Sequence, residues 1–195
     1  MKTLKAFGFL AVIAFAGFGP SAHAQSTDCR DNNREIQIGK CTNAIKNARS
    51  DSERAAAHLY RCQAYDILGQ YAEALADCQE AGRLNPSDNS VHNSISIIYQ
   101  NLGRHDQAIA ASSRAISGND SVAGYFNTRS NAHCKAGNIN ASMNDRMLAM
   151  NKGLYTPQRI QEILKNKGYY NGPLDGNFGG GSRAALESWT RDGCK

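Results

Sequence analysis

The sequence has no apolar run long enough to cross a membrane. Its longest, Phe7 to Phe18, is broken only by glycine and is twelve residues long, against the roughly 20 a spanning helix needs. It has no Gly-x-Ser-x-Gly elbow, no His-Glu-x-x-His pair and no phosphate-cradling glycine loop, the patterns in which many enzymes place their reacting groups. No Cys-x-x-Cys or close Cys/His spacing offers a zinc site. Lysines and arginines form no basic run, and a formal charge of +5 over 195 residues is too mild to argue for nucleic acid. No low-complexity segment interrupts the chain. These absences set aside a metal, a cofactor, a nucleic-acid partner and the commoner catalytic centres. They leave a protein that works by binding.

The first two dozen residues are laid out as an address. Lys2 and Lys5 give a positive start, the apolar stretch follows, and Ala22-His23-Ala24 supplies a small-x-small cleavage site, the plan of a secretory signal peptide. Cleavage after Ala24 would start the mature chain at Gln25 and, by removing Lys2 and Lys5, lower the charge from +5 to +3. No stable membrane span would then remain, and the expected location is the periplasm or cell envelope. All six cysteines lie beyond residue 24, an even number in an exported chain, so disulfides are expected.

Between residues 55 and 153 the sequence repeats every 34 residues. Leu68-Gly69-Gln70-Tyr71, Leu102-Gly103-Arg104-His105 and Ala136-Gly137-Asn138-Ile139 align without drift. Upstream in the same frame stand Tyr65, Tyr99 and His133, and downstream Ala81, Ala115 and Ala149. A fixed period of this size is the signature of a repeat architecture. Each glycine falls where a first helix must end in a left-handed residue before a second begins. Tyr65, Leu68, Tyr99 and Leu102 are expected to fill the interior, and the alanines to let paired helices approach closely. This pattern, with Leu68 to Ala74 and the closing Asn85-Pro86, resembles the tetratricopeptide family, whose repeat is a helix–turn–helix. The resemblance implies an all-α solenoid in which consecutive first helices line a groove for a protein or peptide partner. By the family's pattern that groove would be lined by Leu59, Tyr60, Gln63, Asn93, Ser94, Ile97, Asn127, Thr128 and Asn131. Some members hold a C-terminal carboxylate there with lysine and arginine, whereas these positions carry amides and hydroxyls. A solvated helix face on a purely scaffolding stack is the alternative.

His58 and His92 share one repeat position, His105 stands where Tyr71 does, and His133 where Tyr65 and Tyr99 do. Their placement reads as structural, since no nucleophile or carboxylate is evident in the sequence to orient a catalytic imidazole. Six cysteines allow fifteen pairings. Cys62 and Cys78 lie on the two helices of the first repeat, seven residues before and nine after Gly69, where antiparallel helices bring them within disulfide reach. Cys29 with Cys41 is the next pair, and Cys134 with Cys194 follows by elimination. Residues 25–54 read as a degenerate, capping repeat with one helix from Asn33 to Ala48 that carries Ile36, Cys41, Ala44, Ile45 and Ala48 along one side.

From Thr156 the pattern changes. Thr156-Pro157 reads as an N-cap and first helical residue, with Ile160, Ile163 and Leu164 on one face. A loop dense in turn residues runs from Gly168 to Gly179, and Ser182 is placed to cap a last helix. Ile160-Gln161-x-x-Leu164, Gly168-Tyr169, Asp175-Gly176-x-Phe178-Gly179 and Arg183-x-Ala185-Leu186 resemble the small helical peptidoglycan-binding domain of bacterial wall hydrolases. The resemblance implies contact with wall glycan and its peptide stem through Tyr169, Tyr170, Asp175, Asn177 and Arg183. The bland alternative is that Asp175 braces its own turn and that Phe178 and Trp189 are core. Continuing the 34-residue frame from Ala123 reaches Pro157, so the first helix of this segment is expected to stack on the last repeat.

The expected organisation is therefore a signal peptide (1–24), a capping segment (25–54), three repeats (55–155) and a peptidoglycan-binding-like domain (156–195), all helical. The expected function is that of an exported, non-catalytic adaptor joining a protein partner to the wall. The alternative is a regulatory or scaffold subunit whose C-terminal domain docks onto a wall enzyme.

Overall fold

The computed structural model describes residues 29–193. The stretch expected to be a signal peptide (1–24) and Cys194 lie outside the described residues. Within them the chain forms α1 (Arg34–Asn47), α2 (Asp51–Ile67), α3 (Tyr71–Leu84), α4 (Asn89–Asn101), α5 (His105–Gly118), α6 (Ala123–Lys135), α7 (Ile139–Asn151), α8 (Pro157–Asn166) and α9 (Gly180–Gly193), with no strand among the described residues.

The helix pairs are set by their ends. Ser50, Asp88 and Thr156 each accept a backbone N–H of the following first turn, closing the N-termini of α2, α4 and α8. Gly69 and Gly103 adopt φ of 75° and 69°. In repeat one the N–H of Gly69 donates to the Asp66 carbonyl and that of Gln70 to the Tyr65 carbonyl, so the last carbonyls of α2 are satisfied and the chain reverses into α3. The same pair of bonds closes α4, α6, α7 and α8.

Close pairing follows from small side chains. Ala74, Ala81, Ala108 and Ala115 are wholly buried where second helices meet first ones. Cys62 and Cys78 form a disulfide across α2 and α3. The equivalent positions of the second repeat, Ser96 and Ser112, instead both donate to the Ala108 carbonyl at 2.8 Å. In the third, Ser130 donates to the Ser142 carbonyl at 2.9 Å. A hydroxyl inside a repeat is thus never left unpaired at this position, as burial of a polar group requires.

The first helices form the inner layer. α2 packs on α4 and α4 on α6, while the second helices contact first helices rather than one another. Asn101 of α4 donates to Asp66 of α2 at 2.9 Å, and Gln100 of α4 to the Thr128 carbonyl of α6 at 3.1 Å. The stack therefore curls toward α2, α4 and α6.

Three expectations are corrected here. Leu68 and Leu102 do not fill the interior: as C-cap residues they swing outward and are 38% and 36% exposed. In α1 Cys41 is buried as expected, but Gln37 turns inward beside it in place of Ile36, its amide donating to the Tyr60 carbonyl at 2.8 Å while Ile36 faces water. In the C-terminal unit, α9 is the helix that packs on α6 and α7. α8 pairs with α9 and shares a core of Met150, Ile160, Leu164, Ala185 and Leu186. Register alone placed α8 against the last repeat. The loop after it is long enough for α9 to take that place.

Candidate functional site

Of the nine residues expected to line the inner face, Leu59, Ser94 and Thr128 are buried between helices and unavailable to a partner. Thr128 returns its hydroxyl to the Gly124 carbonyl. Tyr60 is half-buried against the Cys29–Cys41 disulfide and lies under the Arg30 guanidinium. Gln63, Ile97 and Asn131 are exposed at one repeat position on α2, α4 and α6, with Asn93 and Asn127 half-buried one turn before the latter two. These five form a continuous strip of amides around one apolar residue. The Asn93 Oδ1 is buried without a hydrogen-bond partner.

Two buried ion pairs that the sequence reading missed fix the repeats beside this strip. Arg61 clamps Asp77 through Nε and Nη2 at 2.6 and 2.8 Å, and reaches Thr42 of α1 with Nη1. Arg129 clamps Asp145 in the same way, both bonds at 2.8 Å, and reaches Ser113 of α5. Each bidentate fork joins both helices of its repeat to the helix before it. The carboxylates beside them raise both guanidiniums above their usual range. The second repeat has Ile95 and Ala111 at these positions, so the signal recurs at two periods rather than one.

Two of the histidines, His58 and His133, sit beside these pairs. His58 does have a carboxylate partner, with Nδ1 2.8 Å from Asp77 Oδ1, correcting the expectation that none was present. That carboxylate is already engaged by Arg61, which makes the trio a structural latch. His92 is held below its ordinary value by burial and then by Arg114. His133 is lowered by burial, with Asp145 at 4.0 Å opposing and Arg129 reinforcing the shift. Among the described residues no group of three His, Cys, Asp or Glu is placed to hold a metal ion.

In the C-terminal unit the loop between α8 and α9 is organised by Gln161, which is wholly buried. Its Nε2 faces Asp175 Oδ1 at 3.0 Å and the Asn177 carbonyl at 3.1 Å, and its Oε1 accepts the Gly176 N–H at 2.9 Å. Asp175 also accepts from the Asn177 N–H, and these bonds hold its carboxyl below the usual range. Tyr170 donates to the Pro173 carbonyl and Tyr169 to Asp192. Two of the five expected wall contacts, Tyr170 and Asp175, thus hold the loop itself together, and Tyr169 ties its start to α9. The Asn177 side chain and Arg183 are exposed and face outward. Ser182 lies inside the first turn of α9 and is buried beside Gln161 rather than capping the helix.

Two cavities stand out. One of about 500 Å³ lies between α3, α4 and α5, with Val91, His92, Ile95, Tyr99 and Arg114 among its walls. The absent ion pair of the second repeat leaves Ile95 and Ala111 there. The other, of about 280 Å³, lies where α6 and α7 meet the C-terminal unit, and Asn127, Asn131, Arg146, Ile160, Ile163 and Trp189 line it.

Comparison with known proteins agrees with this architecture. Residues 55–88 and 90–117 each match a tetratricopeptide repeat family model. A crystal structure of MamA protein superposes with a TM-score of 0.53 at 19% identity, over 61% of this chain and 63% of that one, so the likeness spans less than two thirds of that relative. A structure of YrrB, described as a tetratricopeptide repeat protein with an unusual peptide-binding site, superposes with a TM-score of 0.54 at 12% identity, over 84% of this chain and 79% of that one. At these identities the likeness is one of fold. No curated protein matches the chain in sequence. Residues 55–88 and 90–117 are thus tetratricopeptide repeats, and the described residues form an all-helical solenoid.

Proposed function

We propose that the protein is an exported, non-catalytic adaptor that holds a protein or peptide partner along α2, α4 and α6 and attaches to peptidoglycan through the C-terminal unit. The observation that carries the first half is the strip of Gln63, Asn93, Ile97, Asn127 and Asn131 on the inner layer. Carboxamides pair with extended backbone as both donor and acceptor, and Gln63 and Asn131 hold theirs exposed. Repeat stacks offer such surfaces to extended partners, and the YrrB structure is described as having a peptide-binding site.

Export is supported by the Lys2–Ala24 pattern and by the Cys29–Cys41 and Cys62–Cys78 disulfides, which belong in an oxidising compartment. Wall binding rests on the Gly168–Arg183 motif. The second reading, in which this unit docks onto a wall enzyme, is favoured by the engagement of Tyr170 and Asp175 inside their own loop. That leaves Arg183 and the Asn177 side chain as the exposed groups not engaged in the loop. Co-sedimentation of residues 25–195 with purified sacculi tests the tether. Pelleting that is lost on Arg183→Ala supports it. If the protein stays in the supernatant, docking onto an enzyme replaces wall attachment. Partner capture with and without Ile97→Asp tests the strip, and capture unaffected by the substitution removes it as the binding face.

A further inference from the structure

Arg146 occupies the position that Cys78 and Ser112 hold in the preceding repeats. Those two are wholly buried between helices, and a guanidinium there requires a reason. The other part-buried internal arginines, Arg61 and Arg129, each have an aspartate. Arg146 has none: among the described residues it makes no ion pair, and its buried Nε has no hydrogen-bond partner. Its carbon lies 4.9 Å from the centroid of the Trp189 ring. Burial pushes it below the ordinary arginine range, with only the Tyr155 hydroxyl opposing. A guanidinium partly withdrawn from water and left without a counter-charge is unfavourable, so an anion would stabilise the site.

The chemistry around it narrows the anion. The cavity of about 280 Å³ has Met150, Ile160, Ile163, Leu186 and the Trp189 face as apolar walls, and Asn127, Asn131 and Tyr155 as its other polar groups. This is room for a group of about one amino-acid side chain, at the small end of ligand pockets. A guanidinium stacked on an aromatic face keeps its edge donors free for a planar, bidentate acceptor. We infer that the pocket between the third repeat and the C-terminal unit binds a carboxylate attached to a compact apolar group. Arg146 takes the carboxylate, and the α8–α9 walls enclose the apolar part. The carboxylate is either that of a small free acid or the end of a peptide chain with an apolar last residue. Arg146 comes from a second helix and the walls from α8 and α9, so the site is separate from the amide strip, although Asn127 and Asn131 border both.

Trp189 is the protein's one tryptophan, so its fluorescence reports directly on the pocket. The full mature chain would be titrated with 4-methylpentanoate and with N-acetylglycylleucine, each beside its neutral amide. A saturable change with an acid, weakened at least about tenfold in the amide, is expected for loss of a charge-assisted contact. Tighter binding of the dipeptide acid would assign a chain end, and tighter binding of 4-methylpentanoate a free small acid. Arg146→Met should abolish the difference between acid and amide, with a thermal melt confirming that it folds. Equal binding of acid and amide, or no binding of either acid at millimolar concentration, overturns the inference without any variant. These probes are too short to span the inner strip, so their outcome is independent of whether a longer partner binds there.

Discussion

The side chains that decide most at the residue scale are polar ones out of water. Asp145 is buried and answered by the Arg129 fork. Removing it leaves a guanidinium uncompensated, and Asp145→Ala should cost about 3 kcal/mol, the low end for a broken buried pair because Arg129 is partly solvated. Urea unfolding of the variant beside Arg129→Met/Asp145→Leu checks this, and the double change should recover much of the loss. The two lowered histidines set a pH dependence. Their folded values lie below the ordinary 6.5, so the unfolded chain takes up protons first as the pH falls. Their contribution is complete above about 6.5 and is lost progressively as the pH drops below it toward the folded values. Thermal melts between neutral and mildly acidic pH should show the fall. His133→Tyr, which restores the residue found at Tyr65 and Tyr99, should reduce it.

Turns and cross-links act at the scale of the element. Gly103 has φ of 69°, and a Cβ built there meets nothing within 4 Å. Gly103→Ala is therefore a pure backbone test, and should cost about 1–2 kcal/mol through left-handed strain alone. An unchanged urea midpoint would mean that the turn relaxes. The Cys62–Cys78 bridge closes a separation of 16 residues, for which the chain-entropy account gives about 3 kcal/mol. The Cys62→Ser/Cys78→Ser variant reproduces the serine pair of the second repeat, so it should fold with the same helices and lose about that much stability. Helix content by circular dichroism and the unfolding midpoint separate the two effects.

Seen whole, the molecule is a one-dimensional stack whose far end is covered by α9. In such stacks each unit feels mainly its neighbours. Cys134 of α6 is disulfide-bonded, and its sulfur lies 3.9 Å from the Thr190 carbonyl of α9. Peptide mapping of the unreduced protein should find Cys134 linked to Cys194. Cys134→Ser should speed amide exchange across 180–193 while α2 to α5 keep their protection, and exchange that rises uniformly would show the stack to be more cooperative than this.

The repeat, its period and its helix ends were legible in the sequence because they depend on local chemistry. Glycine is needed where φ turns positive and alanine where paired helices touch, and both recur every 34 residues, while Ser50, Asp88 and Thr156 cap their helices by local side-chain chemistry. The Cys62–Cys78 pairing followed from the same local geometry. Neighbouring elements decided the rest. Which inner-face residues stay open depended on how closely α2, α4 and α6 approach, and that closed over Leu59, Ser94 and Thr128. The Arg61–Asp77 and Arg129–Asp145 latches depended on which repeats retain the pair. The position of α9 depended on a loop held by one buried glutamine. Arg146 reads in the sequence as one more arginine on an outer helix. Only the fold partly withdraws it from water, lays it against Trp189 and leaves it without a carboxylate, because desolvation and counter-charge belong to surroundings assembled from distant parts of the chain.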